Sequence, residues 1–578
     1  MEYIKGKRTR LLAGFVMAAM AVFFVRLFYI QIIQHNYYTA QADSEYIKQF
    51  TLHAQRGEIY ALEGDQPVPL VMNETVYTVW ADPTVVTDKQ KVVDVINKVA
   101  GGNTQPNFAQ LLDVKNSRYQ VRATKVTRAQ AEMIKKENLA GVGFDAVTQR
   151  VYPEGQLASQ VLGFVNSNGD GQYGFEQYNN SMLKGKDGML KTVTDIRNVP
   201  LTIGNDNIKT PAVNGKNAVL TIDRDIQAKV EQVLAQGAAR THAKQVSAIV
   251  VDPNNGHVLA MANMPTYDPN KMSSVTDISV FNNDTISKPY EVGSVAKTLT
   301  MGMGINEGVM TPQSTYDNLG YIVVDGIRIN NADQTRLLGR ITMQDVLDWS
   351  LNSGVVTMTE WLGGGSINLK ARNTMYEYFH NRYHLGQLTG IQLAGETPGT
   401  IIPPTDVQGN SIRYSNMAFG QGMSLTMVQT AAAFSSVING GTYYKPTILA
   451  GFMNNGTYDP LPVKPEDTNV ISAQASQQMR AMIHHAHYAT WRPNDPAGYY
   501  IGGKTGTSQT IDPKTGKYRN TDTIGTYLGF GGNDPNKPAY VIMTTLAGGG
   551  NFGGGDAKVM FNQISDWMLG YLKLPPKG

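Results

Sequence analysis

Cysteine is absent from this chain of 578 residues. Thiol catalysis, disulfide bonds and thiolate metal sites are therefore excluded. The 9 histidines form no HExxH or similar ligand spacing. Their one cluster, His484, His485 and His487, falls in a helical stretch, where adjacent side chains point to different faces. The sequence therefore predicts no metal site.

An excess of charge of one sign is also missing. The chain carries 50 lysine and arginine residues against 47 aspartate and glutamate residues, and its formal net charge is +3. This balance gives no argument for nucleic acid or for an acidic substrate as a partner. Internal repeats and low-complexity tracts do not interrupt the chain. Its length predicts about three or four domain-sized units.

A long apolar run occupies residues 11–33, with Arg26 as its one charged residue. As a helix it would extend about 35 Å, enough to cross a hydrocarbon core of about 30 Å. The basic tail, residues 1–10, precedes the run, so we expect a cytoplasmic N-terminus and an extracytoplasmic remainder. A cleaved signal peptide is the alternative, because Ala40-Gln-Ala42 resembles a cleavage site. That site lies well beyond the apolar core, which favours an uncleaved, single-pass anchor in the inner or plasma membrane.

Two larger segments follow the anchor. Residues 34–215 are predicted to form a stalk and an elongated pedestal that mixes short strands with one helix at 127–137, whose start resembles a capping box. Residues 203–216 are rich in Asn, Gly and Lys and are typical of a linker. Residues 216–574 are predicted to form a second domain, followed by a short tail at 575–578.

The second domain has the pattern of a sheet packed with helices. Helices are predicted at 225–237 and at about 557–572, and strands at 246–251, 527–530 and 540–546. This order indicates a mixed α/β or α+β fold.

Three short motifs occur in a fixed order along the second domain: Ser294-Val-Ala-Lys297, Ser350-Leu-Asn352, and Lys504-Thr-Gly506 followed by Thr507. Ser-x-x-Lys, Ser-x-Asn and Lys-Thr-Gly elements are the parts of an acylating serine site. Each motif alone should occur about once or twice by chance in a chain of this length. The chain does contain a second copy of each, beginning at Ser181, Ser366 and Lys514.

Local context selects the first of these sets. Ser294 opens an amphipathic run, which places Lys297 one helical turn away on the same face. For an isolated pair, the simple interpretation would be a helix cap and a solvated lysine. A helix start also offers backbone N–H groups to a developing negative charge and disfavours a protonated lysine. Ser181, by contrast, lies in a polar turn region.

The second motif falls on the core-facing stripe of a helix that Thr342 can cap. Ser350 takes the place of an apolar residue on that stripe, so its hydroxyl either bonds back to the helix backbone or belongs to a buried polar site. Asn352 is then expected to end the helix. Ser366 follows three glycines at a helix start, where a cap is the simpler interpretation.

The third motif fits a strand. Glycines flank Lys504, and in a strand they let a ligand approach the backbone closely. The second copy at Lys514 follows Ile511-Asp-Pro513 and is typical of a turn between strands.

Taken together, these features resemble a class B penicillin-binding protein, a membrane-anchored peptidoglycan D,D-transpeptidase. Further segments that fit the family pattern are Arg56-Gly-Glu-Ile59, Arg150-Val-Tyr-Pro-Glu-Gly155, Gly171-Gln-Tyr-Gly-Phe-Glu176, Leu220-Thr-Ile-Asp223 and Gly420-Gln-Gly422. Two departures are Val292, where the family commonly has Pro, and the turn after Arg56-Gly57, which lacks the usual Asp-Arg-x-Gly. Neither removes a reacting group.

The resemblance implies a transmembrane helix, a dimerisation-type pedestal and a transpeptidase domain whose antiparallel sheet is covered by helices. The expected catalytic residues are Ser294, Lys297, Ser350, Asn352 and Lys504. Thr505, Gly506 and Thr507 are expected to bind substrate, and the backbone N–H groups of Ser294 and Thr507 to form the oxyanion hole. The resemblance implies no metal or organic cofactor. No glycosyltransferase domain precedes the pedestal, which favours class B over class A.

The implied activity is crosslinking of peptidoglycan stem peptides through an acyl-enzyme, with β-lactams as covalent inhibitors. Two alternatives stay open: a membrane-anchored β-lactamase or D,D-carboxypeptidase, and a catalytically silent β-lactam sensor or scaffold. The resemblance also implies a membrane-embedded glycan polymerase and other cell-wall synthesis proteins as partners. A role in division is favoured over one in elongation.

Overall fold

The computed structural model describes residues 3–39, 47–114, 117–193, 208–491, 495–511 and 518–577. The chain divides into two compact units. The first comprises Met1–Arg56 and Lys184–Gly215, and the second comprises Gly57–Leu183 and Lys216–Gly578.

The first unit contains the apolar helix. Tyr3–Phe28 is α-helical and continues as one π-helical turn at Tyr29–Ile33. The stretch Gly6–Ile33 is long and apolar enough to span a membrane, with a mean hydropathy of 2.3. The unit also holds an antiparallel sheet of Ile47–Leu52, Gly188–Val193 and Ile208–Thr210. The last strand lies in the predicted linker, so that part of the prediction is wrong, because these residues pair with a neighbouring strand.

The α-helices of the second unit follow in chain order: Lys89–Ala100, Arg128–Lys136, Ser159–Leu162, Gly174–Tyr178, Arg224–Thr241, Asp284–Ser287, Lys297–Asn306, Met343–Asp348, Asn352–Leu362, Leu369–Tyr376, Ser411–Ala418, Met427–Ile438, Ala473–Trp491 and Gly554–Tyr571. The short helix Asn180–Lys184 lies at the border between the units. The predicted capping box at Thr127 is confirmed, because its side chain accepts from the backbone of Gln130 and the side chain of Gln130 accepts in return.

The strands of the second unit are Ile59–Glu63, Gln66–Ala81, Gln120–Val126, Val142–Val151, Phe164–Val165, Gly171–Gln172, Asn217–Asp223, Gln245–Val251, Val258–Met264, Thr315–Asn318, Tyr321–Val324, Ile327–Asn330, Gly339–Thr342, Leu449–Asn454, Thr457–Pro460, Gly502–Ile511, Tyr518–Gly531 and Tyr540–Ala547.

Five of these strands form the sheet that carries the third motif, called here the catalytic sheet. Its order is Val258–Met264, Gln245–Val251, Tyr540–Ala547, Tyr518–Gly531 and Gly502–Ile511, and every pairing is antiparallel. The predicted antiparallel sheet is confirmed.

Helices cover both faces of the catalytic sheet. Val246, Ala248 and Val250 join the core formed with helices Arg224–Thr241 and Gly554–Tyr571. Ile249 and Val251, the alternate residues of the same strand, join the larger core, which includes Leu299 of helix Lys297–Asn306. Successive side chains of a strand point to opposite faces, so the sheet is a layer between two helical layers.

A seven-stranded sheet crosses the domain boundary predicted at 215–216. Strand Asn217–Asp223 pairs in parallel with Ile59–Glu63 on one side and antiparallel with Leu449–Asn454 on the other. Strand Gln66–Ala81 spans 16 residues, so the expectation of short strands in the pedestal is wrong here. Its length follows from its continuous antiparallel pairing with Val142–Val151.

Candidate active site

The first motif begins in a tight turn. Gly293–Ala296 form one 3₁₀ turn that leads directly into helix Lys297–Asn306, so Ser294 sits at a helix start as predicted. Gly293 has a φ of +62°, and a Cβ added to it would lie 2.7 Å from the carbonyl oxygen of Thr507. The missing side chain therefore lets the serine turn approach the strand of the third motif.

Lys297 is completely buried behind the serine turn. Its Nζ donates to the backbone oxygen of Ser350 at 2.6 Å, to Oδ1 of Asn352 at 2.8 Å and to Oγ of Ser350 at 3.3 Å. Burial lowers the pKa of Lys297 well below its usual value, and the positive charge of Lys504 lowers it further. A lowered pKa favours the neutral form of a lysine, and that form is the one that a general base needs to accept a proton.

The structure corrects the prediction for Ser350. The capping box of Thr342 is confirmed, but its helix ends at Asp348, and Ser350 lies in the connection to a new helix. Ser350 has a φ of +57°. The backbone N–H of Leu351 donates to the oxygen of Val346, which closes the helix with a Schellman-type bond. The apolar pattern continues past the end of the helix. Hydrophobic periodicity therefore does not reveal that Ser350 adopts a left-handed backbone conformation.

Asn352 begins a helix instead of ending one. It is the first residue of Asn352–Leu362, and its Nδ2 donates to the backbone oxygen of Asn330 at 3.0 Å. Because its Oδ1 accepts from Lys297, the amide links the lysine to the hairpin strand Ile327–Asn330. The orientation of Asn352 is thus fixed from both ends.

Lys504 lies on the edge strand of the catalytic sheet and is 4% exposed. Its Nζ donates to the backbone oxygen and to the Oγ1 of Thr505, at 3.1 Å and 3.3 Å. Burial lowers the pKa of Lys504 to about 7, and the nearby carboxylate of Asp348 partly opposes that effect. The strand predicted from the flanking glycines is confirmed.

The residues after Lys504 continue the same strand. Thr505, Gly506 and Thr507 pair with Tyr527, Thr526 and Gly525. A Cβ on Gly506 would lie 2.7 Å from the backbone oxygen of Val292, so this glycine also permits close approach of the serine turn. Thr507 Oγ1 accepts from the backbone N–H of Gly554 at 3.3 Å.

A cleft of about 560 Å³ opens between these elements. The predicted residues that line it are Ser294, Ser350, Asn352, Thr505 and Thr507. Eight others were not predicted as site residues: Gly293, Asn330, Ala332, Trp349, Phe419, Gln421, Ser508 and Gln509. Gln421 belongs to the Gly420-Gln-Gly422 segment and Trp349 adjoins Ser350. Closeness in sequence to a motif could therefore have identified these two residues as part of the site.

The second copies of the motifs lie elsewhere. Ser181 is in the short helix Asn180–Lys184 and not in a turn region. The second Ser-x-Asn copy does cap a helix, but the capping residue is Asn368 and not Ser366: Asn368 accepts from the backbone N–H of Ala371 at the start of Leu369–Tyr376. Lys514-Thr-Gly516 lies outside the described residues.

The clustered histidines have separate partners. His484 Nδ1 lies 2.6 Å from the oxygen of Ile501, His485 bonds Asp348, and His487 lies between Tyr527 and Asp495. Across the described part of the chain, no group of three or more His, Asp or Glu side chains is arranged to hold a metal ion.

Comparison with known proteins agrees with this geometry. The family model described as the penicillin binding protein transpeptidase domain matches residues 246–566, and the penicillin-binding protein dimerisation domain matches residues 51–220. The chain belongs to the penicillin-binding protein transpeptidase family. The resemblance to class B penicillin-binding proteins is therefore confirmed.

Curated relatives cover nearly the whole of this penicillin-binding protein. Stage V sporulation protein D of Bacillus subtilis is 30% identical over 563 residues, 96% of this chain and 84% of the relative. Peptidoglycan D,D-transpeptidase FtsI of Escherichia coli K12 is 26% identical over 581 residues, 98% of this chain and 92% of the relative.

Solved structures share the fold. Penicillin Binding Protein 2X from Streptococcus thermophilus matches with a TM-score of 0.72 at 24% identity, over 91% of this chain and 80% of that one. Penicillin binding protein 3 from Mycobacterium tuberculosis, complexed with aztreonam, matches with a TM-score of 0.67 at 24% identity, over 92% of this chain and 98% of that one.

Proposed function

We propose that this penicillin-binding protein crosslinks peptidoglycan stem peptides as a D,D-transpeptidase, with Ser294 as the nucleophile. The observation that carries the assignment is the environment of Lys297: a buried lysine one helical turn from the serine, bonded to both polar residues of the second motif. Because the chain belongs to this family, the arrangement supports a catalytically active site and not a catalytically silent one.

Acylation begins with attack of Ser294 Oγ on the carbonyl carbon between two D-alanines of a donor stem peptide. Neutral Lys297 accepts the hydroxyl proton as the C–O bond forms. The backbone N–H groups of Ser294 and Thr507 stabilise the negative charge on the carbonyl oxygen, a contribution typically of about 3 to 4 kcal/mol per donor. The close approach of Gly293 to Thr507 supports this pairing of donors.

Collapse of the tetrahedral intermediate breaks the peptide C–N bond. Ser350 relays the proton from Lys297 to the departing D-alanine nitrogen, because its hydroxyl lies 3.3 Å from Nζ. Asn352 holds Lys297 in place. The amine of a neighbouring stem peptide then attacks the ester carbonyl and gives a proton to Lys297. The bond between the carbonyl carbon and Ser294 Oγ breaks, Lys297 returns the proton to Oγ, and a new amide crosslink remains.

Lys504 binds the terminal carboxylate of the donor, together with the hydroxyls of Thr505 and Thr507. A cation in a buried site attracts an anion more strongly than it would in water. A β-lactam reacts at the same serine: the ring C–N bond breaks, but the nitrogen stays tethered, so the acyl-enzyme persists.

Labelled penicillin tests the nucleophile. The full chain should take up the label covalently, and Ser294→Ala should take up none. Covalent labelling of Ser294→Ala would contradict the assignment. Ser181→Ala, the serine of the second Ser-x-x-Lys, is the matched control and should be labelled like the parent.

Product analysis separates the alternatives. With a peptide ending in D-alanyl-D-alanine and an amine acceptor, a transpeptidase forms the crosslinked amide. A D,D-carboxypeptidase or β-lactamase passes the acyl group to water, and a sensor or scaffold forms an acyl-enzyme without turnover. The segment 34–215, which we propose as the pedestal, favours the transpeptidase.

We also propose a cytoplasmic N-terminus and an extracytoplasmic catalytic domain at 216–574, because the basic tail precedes the apolar helix. The absence of cysteine makes this directly testable with a membrane-impermeant maleimide. Val407→Cys, at a position 95% exposed, should be labelled on intact spheroplasts, whereas Glu2→Cys should be labelled only after lysis.

A membrane-embedded glycan polymerase is the proposed partner, and division is the proposed setting. The Gly420-Gln-Gly422 segment and the proposed pedestal favour division over elongation. A fluorescent fusion should concentrate at mid-cell, and a distribution along the side wall would contradict the division role.

A further inference from the structure

The helix that carries the end of the second motif begins without a cap of its own. Asn352–Leu362 is preceded by Leu351, whose side chain makes no capping hydrogen bond. The first N–H groups of a helix have no partner within the helix, and a buried N–H group needs one. Ser353, the second residue of this helix, is 1% exposed. Its backbone N–H therefore needs an acceptor from another part of the chain.

Asn331 supplies that acceptor. Its Oδ1 accepts from the backbone N–H of Ser353 at 2.8 Å, although the two residues are 22 positions apart. Asn331 is 2% exposed and follows the hairpin strand Ile327–Asn330 directly. The oxygen of its side chain performs the task of an N-cap from a different segment of the chain. This bond fixes the start of the helix to the end of the hairpin.

The buried amide of Asn318 holds Asn331 in one orientation. Nδ2 of Asn331 donates to Oδ1 of Asn318 at 3.0 Å, and the same oxygen accepts from the backbone N–H of Gly320 at 3.0 Å. Nδ2 of Asn318 donates to the backbone oxygens of Arg336 and Leu337, both at 2.9 Å. A backbone N–H can only donate and a carbonyl oxygen can only accept. Neither amide can therefore be reversed without loss of these bonds.

The position of Asn331 also decides which atom of Asn352 faces the lysine. Asn330 and Asn331 share a peptide unit, and the carbonyl oxygen of that unit accepts from Nδ2 of Asn352 at 3.0 Å. Because the carbonyl cannot donate, Nδ2 has to face it, and Oδ1 of Asn352 is directed toward Nζ of Lys297, 2.8 Å away. A reversed amide would place Nδ2 opposite Nζ, and Lys297 would lose this acceptor.

We propose that Asn331 is a positioning residue that acts through Asn352. By capping the helix and holding the carbonyl of Asn330 in place, it keeps Oδ1 of Asn352 directed toward the lysine. Asn331 touches no reacting atom. The proposal deepens the function proposed above and rests on the role given there to Asn352. The three motifs do not identify Asn331, because it lies outside all of them.

A double-mutant cycle tests this role. The acylation rate of the full chain with labelled penicillin is measured for the parent, Asn331→Ala, Asn352→Ala and the double variant. We expect Asn331→Ala to lower the rate about tenfold or more, because Asn352 is no longer held in one orientation. In the Asn352→Ala background there is no amide to orient, so the same change should lower the rate by less than about twofold. A residue that only supported the fold would cause the same loss in both backgrounds.

Asn368→Ala is the matched control. Asn368 is also an asparagine cap, accepting from the backbone N–H of Ala371 at 3.2 Å, and its helix Leu369–Tyr376 contributes no residue to the cleft. Asn331→Ala and Asn368→Ala each remove a helix cap, so both should lower the melting temperature. Asn368→Ala should nevertheless keep the parental acylation rate.

A second variant covers the case in which Asn331→Ala shows no cooperative melting transition. Asn331→Ser then replaces it in the cycle, because serine keeps a polar atom in the buried site but is too short to make both bonds of the asparagine. We expect the same dependence on Asn352. If neither variant folds, Asn331 is required by the fold itself, and the positioning role is wrong.

The remaining outcomes separate this proposal from the function on which it rests. A parental acylation rate in Asn331→Ala, or an equal loss in both backgrounds, would overturn the positioning role and leave the proposed function unaffected. If Asn352→Ala were itself acylated at the parental rate, the role proposed for Asn352 would be wrong. Asn331 would then have no catalytic group to position.

Discussion

In the proposed reaction, two lysines carry the chemistry because neither is in water. Lys297 is completely buried and Lys504 nearly so. Burial and the positive charge of Lys504 lower the pKa of Lys297, which favours its neutral, proton-accepting form. Burial lowers the pKa of Lys504 to about 7, so part of its population stays positively charged at neutral pH. At the scale of single residues, one side-chain type therefore performs two tasks that only its neighbours distinguish.

Ser350 combines a hydroxyl 3.3 Å from Nζ of Lys297 with a backbone in the left-handed region. We predict that Ser350→Ala and Ser350→Gly both lose acylation by about 100-fold or more, because the proton relay is gone. The glycine variant should nevertheless be more stable than the alanine variant by about 1 kcal/mol, because its φ of +57° costs glycine little. Labelled-penicillin kinetics and denaturant unfolding check both. Equal stabilities would contradict the strain, and exposed Ser366→Ala should match the parent.

At the scale of elements, local chemistry was readable from the sequence and long-range geometry was not. The helix starts at Thr127 and Thr342 were predictable, because a capping box lies within four residues. The helix end before Ser350 was not, because the apolar pattern continues into Leu351 while the backbone turns. Gly293 and Thr507 are more than 200 positions apart in the chain, so the sequence around either residue does not indicate that they lie close together.

The close approach of Gly293 to Thr507 gives a second prediction. Gly293→Ala and Gly308→Ala both place alanine at a positive φ, +62° and +70° respectively. A Cβ at Gly293 would lie 2.7 Å from a backbone oxygen, whereas a Cβ at Gly308 would have nothing within 4 Å. Gly308→Ala should lower the free energy of unfolding by about 1 kcal/mol, and Gly293→Ala should lower it by more, because its Cβ also meets the backbone of Thr507. Gly293→Ala should also lower the acylation rate at least tenfold, because even a small misplacement of the nucleophile slows its attack. A parental rate in Gly293→Ala would show that the contact is not needed.

The ion pair between Arg150 and Glu176 joins strand Val142–Val151 to helix Gly174–Tyr178. Their side chains are 6% and 0% exposed, and Arg150 also donates to Asn73 at 2.9 Å. We predict that Glu176→Gln lowers the unfolding free energy by about 3 to 5 kcal/mol, because it leaves a buried cation without its anion. Glu132→Gln, in a pair with exposures of 79% and 57%, should change it by less than about 0.5 kcal/mol. The free energy of unfolding of both variants is measured by chemical denaturation. Similar losses of that free energy in the two variants would contradict the role of burial.

At the scale of the whole chain, the sequence boundary between pedestal and catalytic segment is not a boundary of the sheet. Strand Asn217–Asp223 begins the segment that carries the three motifs, yet its neighbours are Ile59–Glu63 and Leu449–Asn454. The parallel pairing with Ile59–Glu63 joins the two predicted segments through backbone hydrogen bonds, including Ala218 N–H to the oxygen of Glu58 at 2.9 Å. Within the second unit, stability should therefore be shared across the predicted boundary.

This sharing can be tested with two shortened chains, one spanning residues 45–578 and one spanning 216–578. The shorter chain exposes the edge of Asn217–Asp223 that Ile59–Glu63 covers, together with its unpaired N–H and C=O groups. We expect a melting temperature lower by about 5 °C or more, or concentration-dependent aggregation, whereas the longer chain should melt cooperatively and bind labelled penicillin. Equal melting temperatures and equal labelling would mean that the catalytic segment folds independently and that the parallel strand adds little. If the shorter chain melted at a lower temperature but was acylated at an unchanged rate, the strands of the proposed pedestal would contribute to stability only. The active site would then form without them.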